Sequence, residues 1–180
     1  MKNKNILKNL VLGAVLMSAV LDASPSPANP VNHKNGWGLG LMLGSPTGIS
    51  AKYWLGGSNA VDFAVGGGPG LRFHADHLWG LDQLMKDTSE MTLDMYLGAG
   101  GVVGFIRTYH TGYYRREFED DEMGFVGARM PFGIDCRLRK TPLEFGLELA
   151  PEILMTPYFV SPWLEGYVFV RFLFEEPRGR

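Results

Sequence analysis

The string HADH, residues 74–77, sets two histidines around an aspartate, the side chains of a metal site or a proton relay. Spacing decides what they can share. In an extended chain successive side chains point to opposite faces, so His74 and His77 diverge and only His74 and Asp76 meet. That leaves an ion-paired or hydrogen-bonded couple, with a proton relay or two-residue metal site as the alternative. Glu144 and Glu148 are the second candidate pair. Glycoside hydrolysis needs its two carboxyl groups about 5–10 Å apart. Four residues of strand span about 13 Å. Charge pairing with Arg129 and Arg137 of a neighbouring segment accounts for them better.

Acyl transfer would need a serine, a histidine and an acid. Ser45, Ser50 and Ser161 are the serines near strand-like segments of the mature chain, and none has a same-face histidine close in sequence. Such sets assemble in space, so a lipid-modifying enzyme, a lipid A deacylase or acyltransferase, remains an alternative. No catalytic residue is assigned. Cys136 is the single cysteine. It permits no internal disulfide and no thiolate zinc site, and it reads as a small packed hydrophobe. Neither a metal nor a cofactor is expected. The stretch RTYHTGYYRREFEDD, residues 107–121, mixes Tyr109, His110, Tyr113, Tyr114, Arg115, Arg116 and Phe118 with acids. That is the composition of a recognition surface. It is equally that of a solvated loop whose tyrosines rest on a rim or on lipid headgroups.

The elements that must carry these residues follow from length and periodicity. The chain has 180 residues, a formal net charge of −2 and 24 glycines. One domain fits that length, and no basic patch argues for a nucleic-acid partner. Lys2, Lys4 and Lys8 precede a twelve-residue apolar run, residues 10–21. That run is too short to span a bilayer and suits a secretory signal. Residues 1–28 are therefore expected to be a signal peptide cut near Ala23 or Ala28, and 29–35 a short leader. From residue 36 onward, apolar side chains alternate with polar ones or glycine in eight segments, at 36–44, 48–56, 59–67, 71–79, 92–100, 126–139, 143–150 and 165–174. Turn signals such as GSPTG, GGSN, GGPG and KTP separate them. Residues 80–90 have room for a short helical turn. The fold class is all-β, an antiparallel eight-stranded up-and-down barrel over 36–174 with a polar tail at 175–180. The connections are too short for parallel crossovers.

One face of these strands carries Lys52, Asp62, Arg72, His74, Asp76, Asp94, Arg129, Asp135, Arg137, Glu144, Glu148, Glu165 and Arg171, with many glycines between. Glycine on a solvated strand face only weakens it. Inside a narrow barrel it makes room for close approach. The charges are then a lumen network of both signs, and the apolar face meets lipid, as in a membrane-spanning barrel. Trp37, Tyr53, Trp79, Phe172 and Phe174 fall at one rim on the apolar face, the place of an aromatic girdle. Both chain ends lie at that rim, the periplasmic one. Residues 107–121 then face outward. Strand 1, counted as Trp37 to Leu43, is short for such a span.

The run GLGLMLGSPTGISAKYWLGGSNAVDFAVG, then LRFHADHLW, LELAPEI and the aromatic final strand, resembles a family of small glycine-rich bacterial outer-membrane β-barrels. The resemblance covers about residues 36–174 and implies an OmpA/OmpX-type eight-stranded barrel in a subfamily of unsettled activity. Such barrels commonly end on an aromatic residue read by the insertion machinery. Here Phe174 is followed by EEPRGR. The expectation is a monomer in the cell outer membrane with a plugged polar interior and no transport channel. Its partners are lipid, the insertion machinery and an unidentified external ligand. A soluble periplasmic barrel binding an apolar ligand is the remaining alternative.

Overall fold

The computed structural model describes residues 36–68, 70–83, 90–108, 121–157 and 160–175. They form nine antiparallel strands: β1 (Gly36–Ser45), β2 (Thr47–Gly56), β3 (Asn59–Gly67), β4 (Leu71–Gln83), β5 (Met91–Thr108), β6 (Asp121–Arg129), β7 (Phe132–Leu138), β8 (Leu143–Met155) and β9 (Val160–Glu175). There is no helix among the described residues. Each strand pairs with its neighbours in one sheet, and β4–β5 pairing together with β1–β9 pairing closes it into a ring.

Nine strands make eight staves. β6 pairs with the upper part of β5, from Gly100↔Arg129 to Thr108↔Asp121, and β7 with the lower part, from Leu97↔Phe132 to Met91↔Leu138. β8 flanks both on the other side. β6 and β7 are thus one stave broken at Met130 and Pro131. Proline has no N–H for the ladder. Gly98 N donates to Pro131 O (2.7 Å) and Met130 N to Pro151 O (3.0 Å), which stitches the break to both sides. The β2–β3 hairpin turns on Gly56 and Gly57, with φ of 96° and 63°, a region that other residues avoid.

The ring is staggered. Partners lead from Gly36 to Trp54, Ala60, Leu78 and Gly98, across the β6/β7 break at Pro131, then to Ala150 and Glu165. Because Ser45 pairs with Gly166, Glu165 lies level with Pro46, so one circuit climbs ten residues along β1. A stagger of that kind accompanies strands tilted by about 40°.

Burial runs opposite to that of a soluble barrel. Leu39, Leu41 and Leu43 are 51%, 57% and 61% exposed, while Lys52, Asp62 and Arg129 are 3%, 0% and 2% exposed. The inward face is therefore the polar one.

The strands also reach further than periodicity indicates. β1 has ten residues rather than seven. β4 continues to Gln83 in place of a helical turn beginning at residue 80, and residues 84–89 lie outside the described ones. β5 runs on through 101–108, β6 starts at Asp121, β8 includes 151–155 and β9 begins at Val160. In the upper parts of β5, β6 and β8 apolar side chains join Glu152 on the inner face. Val102, Phe125 and Leu154 form a buried cluster there. With apolar residues on both faces, the alternation that marks a strand weakens.

Candidate functional site

The strands aim fourteen polar or charged side chains into the ring, each under a tenth exposed. At the rim where β1 begins and β9 ends, Lys52 of β2 lies 2.7 Å from Asp135 of β7 and 3.4 Å from Glu144 of β8. Its ammonium sits over the rings of Trp54 and Tyr96 at 5.2 and 5.0 Å, which adds cation–π attraction. Arg137, half-buried, stacks on Trp54 at 4.4 Å and reaches Glu144 at 3.4 Å. Asp94 is buried at this level, and with Lys52, Trp54, Tyr96 and Asp135 it lines a cavity of about 20 Å³, room for about one water.

Higher up, Arg171 of β9 grips Asp62 of β3 through both carboxylate oxygens at 3.1 Å, reaches Glu144 at 3.3 Å and donates from Nε to Ser50 Oγ at 2.7 Å. Arg129 of β6 sits among four acids: Glu148 at 2.9 Å, Asp76 at 3.4 Å, Glu152 at 3.5 Å and Glu165 at 3.8 Å. Arg72 of β4 reaches Glu152 and Glu165 at 2.6 Å each and lies over Phe125. Tyr96 and Tyr167 both donate their hydroxyls to Glu148. His74 Nε2 lies 3.9 Å from Asp76, and its ring stacks on Tyr167.

Apolar clusters pack beside this network. Trp54, Ala60, Leu78 and Tyr96 pack near the rim where β1 begins and β9 ends. Val102, Phe125 and Leu154 pack near the opposite rim, with Met42, Ala64, Tyr167 and Phe169 beside them. Buried charge this dense is tolerable only when each ion has partners. Among the described side chains, the eight carboxyl groups Asp62, Asp76, Asp94, Asp135, Glu144, Glu148, Glu152 and Glu165 face five cations, Lys52, Arg72, Arg129, Arg137 and Arg171.

Every residue of the sequence-derived lumen list has its side chain on this inner face, Arg137 at its edge. Four participants are absent from that list. Glu152 falls beyond the segment that alternation marks as a strand. Tyr96, Tyr167 and Ser50 stand on the polar face but carry no charge, so a search for ions passes over them. His77 points away from His74 and rests beside Trp79 at 5.0 Å. Among the described residues no three His, Cys, Asp or Glu side chains gather as a metal site. Ser50 is buried and already held by Arg171.

The aromatic rim needs one correction. Trp37 pairs across the seam with Phe174 and lies against Tyr53 with the rings tilted at 4.6 Å, and Phe172 contacts Phe174 at 5.0 Å. Trp37, Phe172 and Phe174 are half-exposed on the outer face, as a girdle requires, with Tyr53 partly covered. Trp79 is only 5% exposed. The β4 register shifts between Gly80 and Asp82 just beyond it, and its ring packs on His77, so it is covered instead of presented. The candidate recognition residues Tyr109, His110, Tyr113, Tyr114, Arg115, Arg116 and Phe118 lie outside the described residues, as do residues 1–35, expected to be a signal peptide and leader, and residues 176–180 of the expected polar tail.

The buried tyrosines give a direct test of the network. A hydrogen bond to a charged group contributes about 1.5–3 kcal/mol. Tyr96→Phe removes one of the donors to Glu148 and should lower stability by that amount in urea unfolding of the detergent-folded protein. An unchanged midpoint would show that Glu148 does not depend on it.

The fold is shared with a solved structure. The chain is similar to the N-terminal β-barrel domain of Pseudomonas aeruginosa OprF, with a TM-score of 0.50 and 14% sequence identity over 83% of this chain and 100% of that one. That likeness is one of fold, a β-barrel. No curated protein matches the chain. Residues 29–174 match the family described as a protein of unknown function, DUF3996. The match takes in the strands from Gly36 to Phe174, and the chain belongs to the DUF3996 family.

Proposed function

We propose that the chain is an outer-membrane β-barrel, exported by its N-terminal signal segment, whose ion-filled interior holds the barrel shut. The observation that carries this reading is the direction of burial. Large apolar side chains of the staves stand exposed on the outside, while the charged ones are sealed within. Water would not tolerate that outer surface, whereas lipid requires it. The ten residues of β1, tilted by about 40°, reach about 25 Å, the height of an outer-membrane apolar band. The girdle of Trp37, Phe172 and Phe174 suits a lipid headgroup level.

The barrel's role is structural or a surface interaction through residues 107–121, as a monomer. Buried ion pairs and apolar clusters within the ring argue against a conducting pore. A soluble barrel with an apolar ligand inside would need the opposite burial. Acyl chemistry at Ser50 would need that hydroxyl to leave Arg171 and meet its substrate within the packed interior. Insertion would read Phe172 and Phe174 from within the last strand.

Fractionation tests the proposal. The protein should sediment with outer membranes, require detergent for extraction, and migrate differently on gels before and after boiling. A freely soluble protein without heat-modifiable mobility would overturn it.

A further inference from the structure

The apolar outer surface has two heights. On β1 the outward side chains Trp37, Leu39, Leu41 and Leu43 are apolar, and Ser45 follows them. On β2 the apolar run goes from Leu55 to Ile49, with Thr47 beyond it, and on β3 it ends at Val65. Each of these runs covers at most about 15 Å along the barrel axis, at about 3.3 Å per residue and a tilt of about 40°. On β5 each outward position from Met91 to Phe105 is apolar or glycine, and so is each on β9 from Phe174 to Val160. Those runs cover about 35 Å. Their base is shared. One circuit climbs ten residues, so half a circuit, from Gly36 to Gly98, climbs five. Leu93 of β5 is therefore level with Leu55 of β2, and Val103 of β5 stands about one residue above Ser45. The seam sets the two heights side by side. Pairing of β1 with β9 stops at Ser45↔Gly166, while β9 continues to Val160 with β8 alone beside it among the described strands. Over residues 160–165 the free edge of β9 turns backbone groups toward the space above the β1–β2 turn, and hydrocarbon cannot satisfy them. Yet Val160 and Leu164 of the same stretch are 66% and 62% exposed on the outer face, where water is the poorer solvent.

We infer that the lipid around this barrel is stepped. It is thin beside β1–β3, so that water meets Ser45 and the free edge of β9, and thicker beside β5–β9, where acyl chains cover the tall runs. The step presupposes the lipid-facing exterior proposed above. An apolar band of about 25 Å is taller than the short runs and shorter than the tall ones. Lipid yields to such a mismatch by local thinning or thickening at modest cost. Tilting the barrel would level the middles of the two belts but change neither length. The β1–β3 flank is therefore a membrane-thinning surface, and its partner is the bilayer itself.

Depth-dependent fluorescence quenching reads the step. In a Cys136→Ala background, Ser45→Cys and Val103→Cys are each labelled with bimane and the protein is folded into dioleoyl phosphatidylcholine vesicles. Some of the lipid carries bromine on its acyl chains, and iodide is present on both sides of the membrane. The probe at Val103 should be quenched by bromine and shielded from iodide. The probe at Ser45, at nearly the same height, should be several-fold more sensitive to iodide and little affected by bromine. Equal depths overturn the step. Leu55→Cys and Leu93→Cys, the level pair at the base, should report one depth. A probe deeper at Leu55 than at Leu93 would mean a tilted barrel, and that too overturns the step. If either upper variant fails to fold, Thr47→Cys on β2 and Val126→Cys, the β6 partner of Val103, repeat the comparison. Bromine quenching at none of these positions would instead sink the lipid-facing exterior itself.

Discussion

Arg129→Met will destabilise the barrel by about 3–5 kcal/mol, the cost of leaving buried acids without their cation. Methionine keeps arginine's aliphatic stem but not its guanidinium, so the loss combines the missing charge with a small cavity. Arg129 is 2% exposed, and Asp76, Glu148, Glu152 and Glu165 all converge on it. Once it is gone, those acids stay charged without their partner or bind protons, and either course costs stability. Urea unfolding in detergent should show the earlier midpoint, and gel mobility should lose its sensitivity to boiling. Lys140→Ala is the matched control. Its pair with Glu90 measures 3.2 Å, but both side chains are exposed, and a surface pair contributes less than about 1 kcal/mol. Equal, small losses in both variants would show that the interior ions do not hold the structure.

Gly40→Val will prevent the ring from closing, at a cost of about 3 kcal/mol or more, while Leu39→Val one position away will be nearly neutral. A methyl group added at Gly40 would press on the carbonyl oxygen of Val170 and lie 2.6 Å from the Cα of Arg171. Both belong to the backbone of β9, so no rotamer change relieves the contact. The only relief is to part β1 from β9, the first and last strands of the ring. Leu39 faces outward and is half-exposed. Gly38 is a milder case. Its added methyl would meet the Trp54 ring at 2.9 Å and the Leu173 side chain at 3.3 Å, which have more freedom to shift. The expected order of damage is Gly40→Ala above Gly38→Ala above Leu39→Val, measured as the fraction of heat-modifiable protein. A folded Gly40→Val barrel would mean that the β1–β9 seam is looser than its register implies.

The lower half of the ring was legible because its two faces differ. GWGLGLMLG alternates glycine with large apolar residues, and AKYW and LRFHADHLW alternate charge with apolar bulk. Face, strand and stave number follow from that contrast. The upper half hides itself. GGVVGFI and PEILM have apolar residues on both sides of the strand, because the interior there is an apolar layer around Val102, Phe125 and Leu154. Glu152 was lost with that segment. The identity of each ion's partner was not legible at all. Asp62 and Arg171 stand 109 residues apart and meet only across the ring, and no local spacing encodes such a meeting. Trp79 was misplaced because alternation assigns a side but not what covers it.

The ion pairs described above also have a direction. On a ring of eight staves, Lys52 of β2 and Asp135 of β7 stand four places apart, as do Arg72 of β4 and Glu165 of β9. Both pairs are diameters, and Arg171 to Asp62 is a long chord. A hoop of hydrogen-bonded strands hinges at every seam and is free to flatten, whereas a hoop with spokes is not. The cross-section is therefore fixed from the hub outward. Widening the bore along either diameter means breaking a spoke whose two ends then face each other with nothing between them.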